Sequence, residues 1–166
     1  MSSPLANSPQ AEPVKQLETL FAALIPCDGF NLLLPNALVA TTLGLDLLLP
    51  PQAAPAWLAG SVRVQGVRVA VLRVEMMFSS DGGNVAAEPL HRKSRIVVLR
   101  AKSYEPAFAM IALGAPRLVN VNALVLKPVA LLSTDAPNYC ACRAQLGHTE
   151  VLIPNIDALA QSAEAW

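Results

Sequence analysis

Charge is scarce in this sequence. Of 166 residues only 12 are basic and 12 acidic, so charged residues make up 14% where an average domain carries about 25%. The two signs cancel, which excludes a general electrostatic grip on nucleic acid, because such proteins carry a basic excess to neutralise phosphates. Histidine occurs twice and cysteine three times, and an odd cysteine count argues against a secreted disulfide framework. The sequence contains no G-x-S-x-G elbow, no phosphate-cradling glycine loop and no H-E-x-x-H. Nor does any apolar run reach the roughly 18 residues a membrane-spanning helix needs. The richest window, Asn31 to Pro50, is interrupted by Pro35, Asn36, Thr41, Thr42 and Asp46. The opening MSSPLANSPQAEP has neither the basic start nor the apolar stretch of a signal peptide. No direct membrane insertion and a cytoplasmic location are therefore expected.

Apolar residues are abundant, at 54%, which excludes disorder over most of the length. Low charge on a soluble chain also suggests apolar surface that a partner covers. Fourteen prolines and eight glycines punctuate the chain too often for a helical bundle. Residues 1 to about 13 are small and polar and read as a flexible tail. Val14 to Ile25 fits either a helical stripe or an alternating strand. Asp28-Gly29 is a turn signal, Asn31 to Leu34 a buried strand stopped by Pro35, and Val39 to Leu43 a further strand. Residues from about 79 to 94 are polar enough to form a mobile loop. Arg95 to Leu99, Ala107 to Leu113, Leu118 to Val121 and Pro128 to Leu132 follow as strand candidates. Cys140 to Leu146 alternates as a half-buried strand, and Val151 to Ile153 precedes a short closing helix that Pro154 opens from a first-turn position. Many short strands with few helices mean an all-β barrel or sandwich.

The clearest local signal is Ser61 to Val71, two alternating runs flanking Gln65-Gly66. A two-residue hairpin pairs Val64 with Val67, Arg63 with Arg68 and Val62 with Val69, so the valines share a buried face. Arg63 and Arg68 then oppose each other on the other face, a mildly destabilising arrangement. They read either as a solvated face guarding a strand edge or as a contact with an acidic partner.

Candidates for chemistry are few. His91 lies in the basic run His91-Arg92-Lys93, where solvation is its expected role. Cys140-x-Cys142 with His148 is the nearest approach to a metal set, but it lacks a fourth ligand and a chelating spacing, and both thiols are expected to fill the core. Cys27 beside Asp28-Gly29 is open to exposure, yet no basic neighbour activates it. Asp28 and Asp46 have no carboxylate partner at a telling spacing. No catalytic activity, no cofactor and no metal are expected.

The segment from Leu24 to Leu72 resembles the CheW-like adaptor family of bacterial chemosensory systems. Phe30 to Ala40 is similar to that family's second strand and the turn into its third. Pro55-Ala56-Trp57-Leu58-Ala59-Gly60 resembles its P-x-W-x-x-G approach, and Ser61 to Val71 its central hairpin. Arg95 to Leu99 and Val151 to Leu159 also fit, so the resemblance covers most of residues 19 to 160. Leu113-Gly114-Ala115-Pro116-Arg117-Leu118 resembles the pilus-linked branch of ChpC or PilI type. The resemblance implies two five-stranded SH3-like β-barrels sharing a core, in one CheW-like domain over residues 14–166 that ends in the short helix. It also implies a non-enzymatic adaptor coupling the tip of a methyl-accepting chemoreceptor to a CheA-type histidine kinase, in chemotaxis or in a type IV pilus pathway driving twitching motility. A β-barrel holding a small molecule or lipid in its interior, or a generic peptide-binding barrel, stays open beside it, since fold alone does not decide function.

Three positions depart from the family pattern: Thr41 replaces a glutamate, Gln65 an arginine and Ala70 a proline. Losing a charge on each side of a receptor groove weakens charge-steered recognition, which points to a divergent receptor, an auxiliary adaptor or lost receptor binding. The expected partner surface comprises Val39, Thr41, Leu43, Arg63, Gln65, Gly66 and Arg68. In it Val39 and Leu43 form an aliphatic face, Thr41 lies on the opposite face of the strand, and all three lie near the hairpin tip.

Overall fold

The computed structural model describes residues 18–78, 89–133 and 135–166. The expected tail over residues 1–13 lies outside the described residues, as does most of the expected loop; its last part, residues 89–94, is described and leads into the sixth strand. The chain begins with β1 (Leu20–Cys27) and β2 (Phe30–Pro35), then β3 (Val39–Gly44), β4 (Leu58–Val64) and β5 (Val67–Leu72). A short helix α1 (Val74–Phe78) precedes β6 (Arg95–Arg100) and β7 (Pro106–Ala112). Strands β8 (Arg117–Val121), β9 (Leu126–Val129), β10 (Cys140–Leu146) and β11 (Thr149–Pro154) lead into α2 (Ile156–Glu164).

These strands form two sheets, ordered β3-β6-β7-β5-β4 and β8-β1-β2-β11-β10-β9. Each closes through its own chain. After β3 the chain turns at Leu45–Leu47, and Leu49 exchanges both backbone hydrogen bonds with Ser61 of β4, at 2.8 and 2.9 Å. In the second sheet the end strands β8 and β9 are consecutive, split by a turn in which the Asn122 side chain accepts from the N–H groups of Leu124 and Val125. The second barrel thus has a fifth strand interrupted by one turn, and the expected pair of SH3-like barrels is the fold found.

Apolar residues pack into three clusters. Val62, Val69, Val71, Ile96, Val98, Ala109 and Ile111 fill the first barrel. Ala22, Leu24, Leu33, Val121, Ala144 and Val151 fill the second. The largest cluster lies between them and takes Ile25, Leu32, Leu99, Phe108 and Met110 from the strands, with Val74 and Phe78 of α1 and Leu159 of α2. Strands β1, β2, β6 and β7 therefore bury both faces, one in a barrel and one in the shared core, and read as near-continuous apolar runs. This supplies an internal reason for the low charge content that needs no partner.

Several local expectations change. The ambiguous Val14 to Ile25 segment is a strand from Leu20 onward, and its residues 14–17 lie outside the described residues. Cys27 is buried against the shared core, because it ends the inward-facing run of β1. The strand expected over Pro128 to Leu132 is shifted to Leu126–Val129, where it pairs with β10. A bulge between Cys140 and Cys142 breaks the alternation of β10: Cys140 enters the shared core, Cys142 is only half-buried, and Ala144 faces the barrel interior. Pro154 closes β11 rather than opening α2; Asn155 is the cap, its side chain accepting from the Ala158 N–H at 3.2 Å.

Candidate functional site

The β4–β5 hairpin has the expected register, with Val64 opposite Val67, Arg63 opposite Arg68 and Val62 opposite Val69. Gln65 and Gly66 both have positive φ, 50° and 81°, as a two-residue turn matching strand twist requires. Only part of the valine face is buried: Val62 and Val69 are, but Val67 at the tip is 56% exposed because the hairpin extends beyond the barrel interior.

Ser61 directs its N–H and C=O to Leu49, away from β5. Arg63, two residues on, has the same orientation, so Arg63 and Arg68 form a non-hydrogen-bonded pair with Cα atoms about 4.5 Å apart. Arg68 Nε donates to Ser61 Oγ at 3.2 Å. The ion pairs among the described residues belong to Arg143, and neither hairpin arginine reaches a carboxylate there. Beside the pair lies a cleft of about 410 Å³ lined by Leu49, Pro50, Gln52, Ser61, Arg63 and Arg68. Leu49 and Gln52 carried no role in the sequence reading; their approach to the hairpin depends on a contact between segments that no local pattern encodes.

The β3 residues arrange differently from expectation. A bulge between Val39 and Thr41 shifts the pairing, so Val39 opposes Leu99 while Thr41 and Leu43 oppose Val98 and Ile96. Val39 consequently packs against the shared core and Leu43 against the barrel interior, and Thr41 lies on the side of Leu43. They do not form one aliphatic face with Thr41 opposite. The strand order and registers place Val39 at the hairpin-tip end of the barrel and Leu43 at the other end. Arg100 fixes the start of β3 by donating to the Ala37 and Val39 carbonyl oxygens at 3.2 and 3.0 Å.

The remaining reactive groups are held in packed or paired settings. Burial is the main cause that pushes up the Cys27 thiol, with Glu75 adding to it, and burial also raises the Cys140 thiol. The Glu75 carboxyl on α1 is raised by desolvation. Asp135 accepts from Arg143 Nε and Nη2 at 2.9 and 2.7 Å, and this pairing holds its carboxyl below the usual carboxylate range. Among the described residues no three His, Cys, Asp or Glu side chains are grouped to hold a metal ion, and no helix is long and apolar enough to cross a membrane.

No protein-family model matches the sequence, and no curated protein matches it. Among solved structures, the chain is similar to the scaffolding protein TtCheW from Thermoanaerobacter tengcongensis, with a TM-score of 0.68 and 11% sequence identity. The match covers 84% of this chain and 90% of that one. At this identity the likeness establishes the fold.

Proposed function

We propose that this chain is a non-enzymatic cytoplasmic adaptor that couples chemoreceptors to a CheA-type histidine kinase, in a chemotaxis or type IV pilus pathway, and that it belongs to the pilus-linked ChpC/PilI-type branch. The observation that carries the reading is the double barrel around a shared core, a fold similar to that of the scaffolding protein TtCheW. Both barrel interiors are filled by side chains, with Val62, Val71, Ile96 and Val98 fully buried in one and Ala144 and Val151 nearly so in the other. That packing disfavours the alternative of an interior ligand and directs attention to the outer surface. Within the proposed partner surface, Val39 and the Gln65-Gly66 tip share one end, and Arg63 and Arg68 supply orientation and on-rate at the rim.

The test is reconstitution with a CheA-type kinase and receptor-tip bundles, reading kinase association and receptor-dependent autophosphorylation. The expected result is that the chain joins the two and restores receptor control, and a chain that binds neither overturns the reading. Gln65 is exposed at the tip, so Gln65→Arg, which restores the family's charge there, is expected to strengthen binding to a standard receptor tip several-fold. Binding-rate measurement on the immobilised bundle checks this, and an unchanged or weaker affinity moves the receptor contact away from the hairpin.

A further inference from the structure

We propose that Tyr104, held out from the first barrel by Arg100, is the anchor that seats the hairpin-tip end of that barrel in an acidic-rimmed groove between the helices of a receptor tip. The inference rests on the adaptor reading and names the residue through which the receptor contact is made.

The loop joining β6 to β7, residues 101–105, rises beside the start of β3. Arg100, the last residue of β6, ties the two together. Its Nε donates to the Tyr104 carbonyl oxygen at 2.8 Å, while Nη1 donates to those of Ala37 and Val39 at 3.2 and 3.0 Å. Within the loop, Ser103 Oγ accepts from the Glu105 N–H at 3.2 Å. The β4–β5 hairpin lies on the other side of the loop. There the parallel pairing of Val71 with Ala109 and of Leu72 with Met110, carried back along both strands, sets Val67 level with Glu105. Tyr104 thus stands between Val39 and the Gln65-Gly66-Val67 tip.

From Lys102 to Glu105 every side chain is exposed, so polar bonds and not packing give this loop its shape. Tyr104 is 95% exposed and adds nothing to the core. Its backbone is nevertheless fixed, so a partner that covers the ring does not also have to order the loop. Single exposed apolar residues are ordinary, but here Val39, Val67 and Tyr104 converge from three segments on one end of a barrel. A tyrosine amid aliphatic neighbours has the make-up of an interface centre. A protruding ring needs a concave seat, which the grooves between packed helices offer. Arg63, Arg68 and Lys102 are exposed around this end with Glu105, a basic excess that favours an acidic rim on the seat.

The experiment measures binding of the full chain to an immobilised receptor-tip bundle and, separately, to a CheA-type kinase. Tyr104→Ala is expected to weaken bundle binding at least about tenfold, chiefly through faster dissociation, and to leave kinase binding and the melting temperature unchanged. Tyr104→Phe keeps the ring and is expected to stay within several-fold of the parent. Lys102→Glu is expected to slow association with the bundle several-fold. Arg100→Gln, with its fold checked by circular dichroism, is expected to weaken bundle binding less in the Tyr104→Ala background than in the parent, since it acts partly through the ring. Equal bundle binding by Tyr104→Ala and the parent overturns the anchor while leaving the adaptor reading intact. A lower melting temperature for Tyr104→Ala, or an equal loss of kinase binding, overturns it as well. Unchanged association of Lys102→Glu overturns the acidic rim, and fully additive losses overturn the positioning by Arg100. A parent chain that binds no bundle is the distinct failure of the adaptor reading, and the anchor falls with it.

Discussion

Gly66 and Asp135 show how single residues hold this fold by different means. At Gly66 an added Cβ meets nothing within 4 Å, so space is not what demands glycine; the positive φ is. Gly66→Ala is therefore expected to cost about 1 kcal/mol, read as a lowered urea midpoint with an unchanged slope. Asp135 works through charge, its carboxylate gripped at both oxygens by Arg143 and nearly removed from solvent. Since that pairing lowers its folded pKa, the stabilisation is complete above the unfolded carboxylate value of about 3.9 and is lost as pH falls through the lower folded value. Asp135→Asn is expected to cost about 2 kcal/mol at neutral pH, with the gap to the parent closing below about pH 4. A gap that persists at low pH would show that shape, and not charge, sets the contribution of Asp135.

At the scale of elements, the Leu49–Ser61 bridge decides whether the first barrel closes. Gly60 lies beside it with φ 149°, and a Cβ there collides with the Leu49 carbonyl oxygen. The terminal glycine of the Pro55-x-Trp57-x-x-Gly60 segment is thus required by a close backbone approach. Gly60→Ala is expected to cost about 3 kcal/mol and to speed hydrogen exchange at the Leu49 and Ser61 amides ahead of the other barrel amides. Uniform loss of protection across the barrel would mean the bridge is not a local closure. Elements also show what the sequence made legible. The hairpin register could be read because a glycine marks the turn and the valines alternate up to it. The bulges at Val39/Thr41 and Cys140/Cys142 could not, because a bulge leaves composition untouched while reversing every later side chain. The helix α1 is too short for periodicity to reveal, and the Asp135–Arg143 pair is made by a loop folding back on its strand.

For the whole molecule, the shared core makes the two barrels one thermodynamic object. Leu32 is fully buried there and lies opposite Leu152 in the parallel pairing of β2 with β11. Leu32→Ala is expected to cost about 2–5 kcal/mol and to shift far-ultraviolet dichroism and tryptophan fluorescence by the same amount. Trp57 and Trp166, in edge contact at 6.1 Å, report on the junction between the first barrel and the C-terminal segment. Two separated transitions would show that the barrels unfold independently. The all-β class was legible because residue content and strand punctuation are global properties, whereas the pair of barrels was expected only from the family resemblance. The composition of the site was not, since it depends on which distant segments meet when the barrel closes.

The strand orders carry a further consequence for synthesis. Strands β3 to β7 form the first barrel without a break, whereas the second sheet takes β1 and β2 from the start of the fold and β8 to β11 from its end. During vectorial emergence from a ribosome, the inserted barrel is complete while the β1–β2 hairpin still awaits β11, its partner across Leu32 and Leu152. That hairpin, apolar on both faces, keeps its apolar surface uncovered until the later strands arrive. Translation pauses after β7 would prolong its exposure.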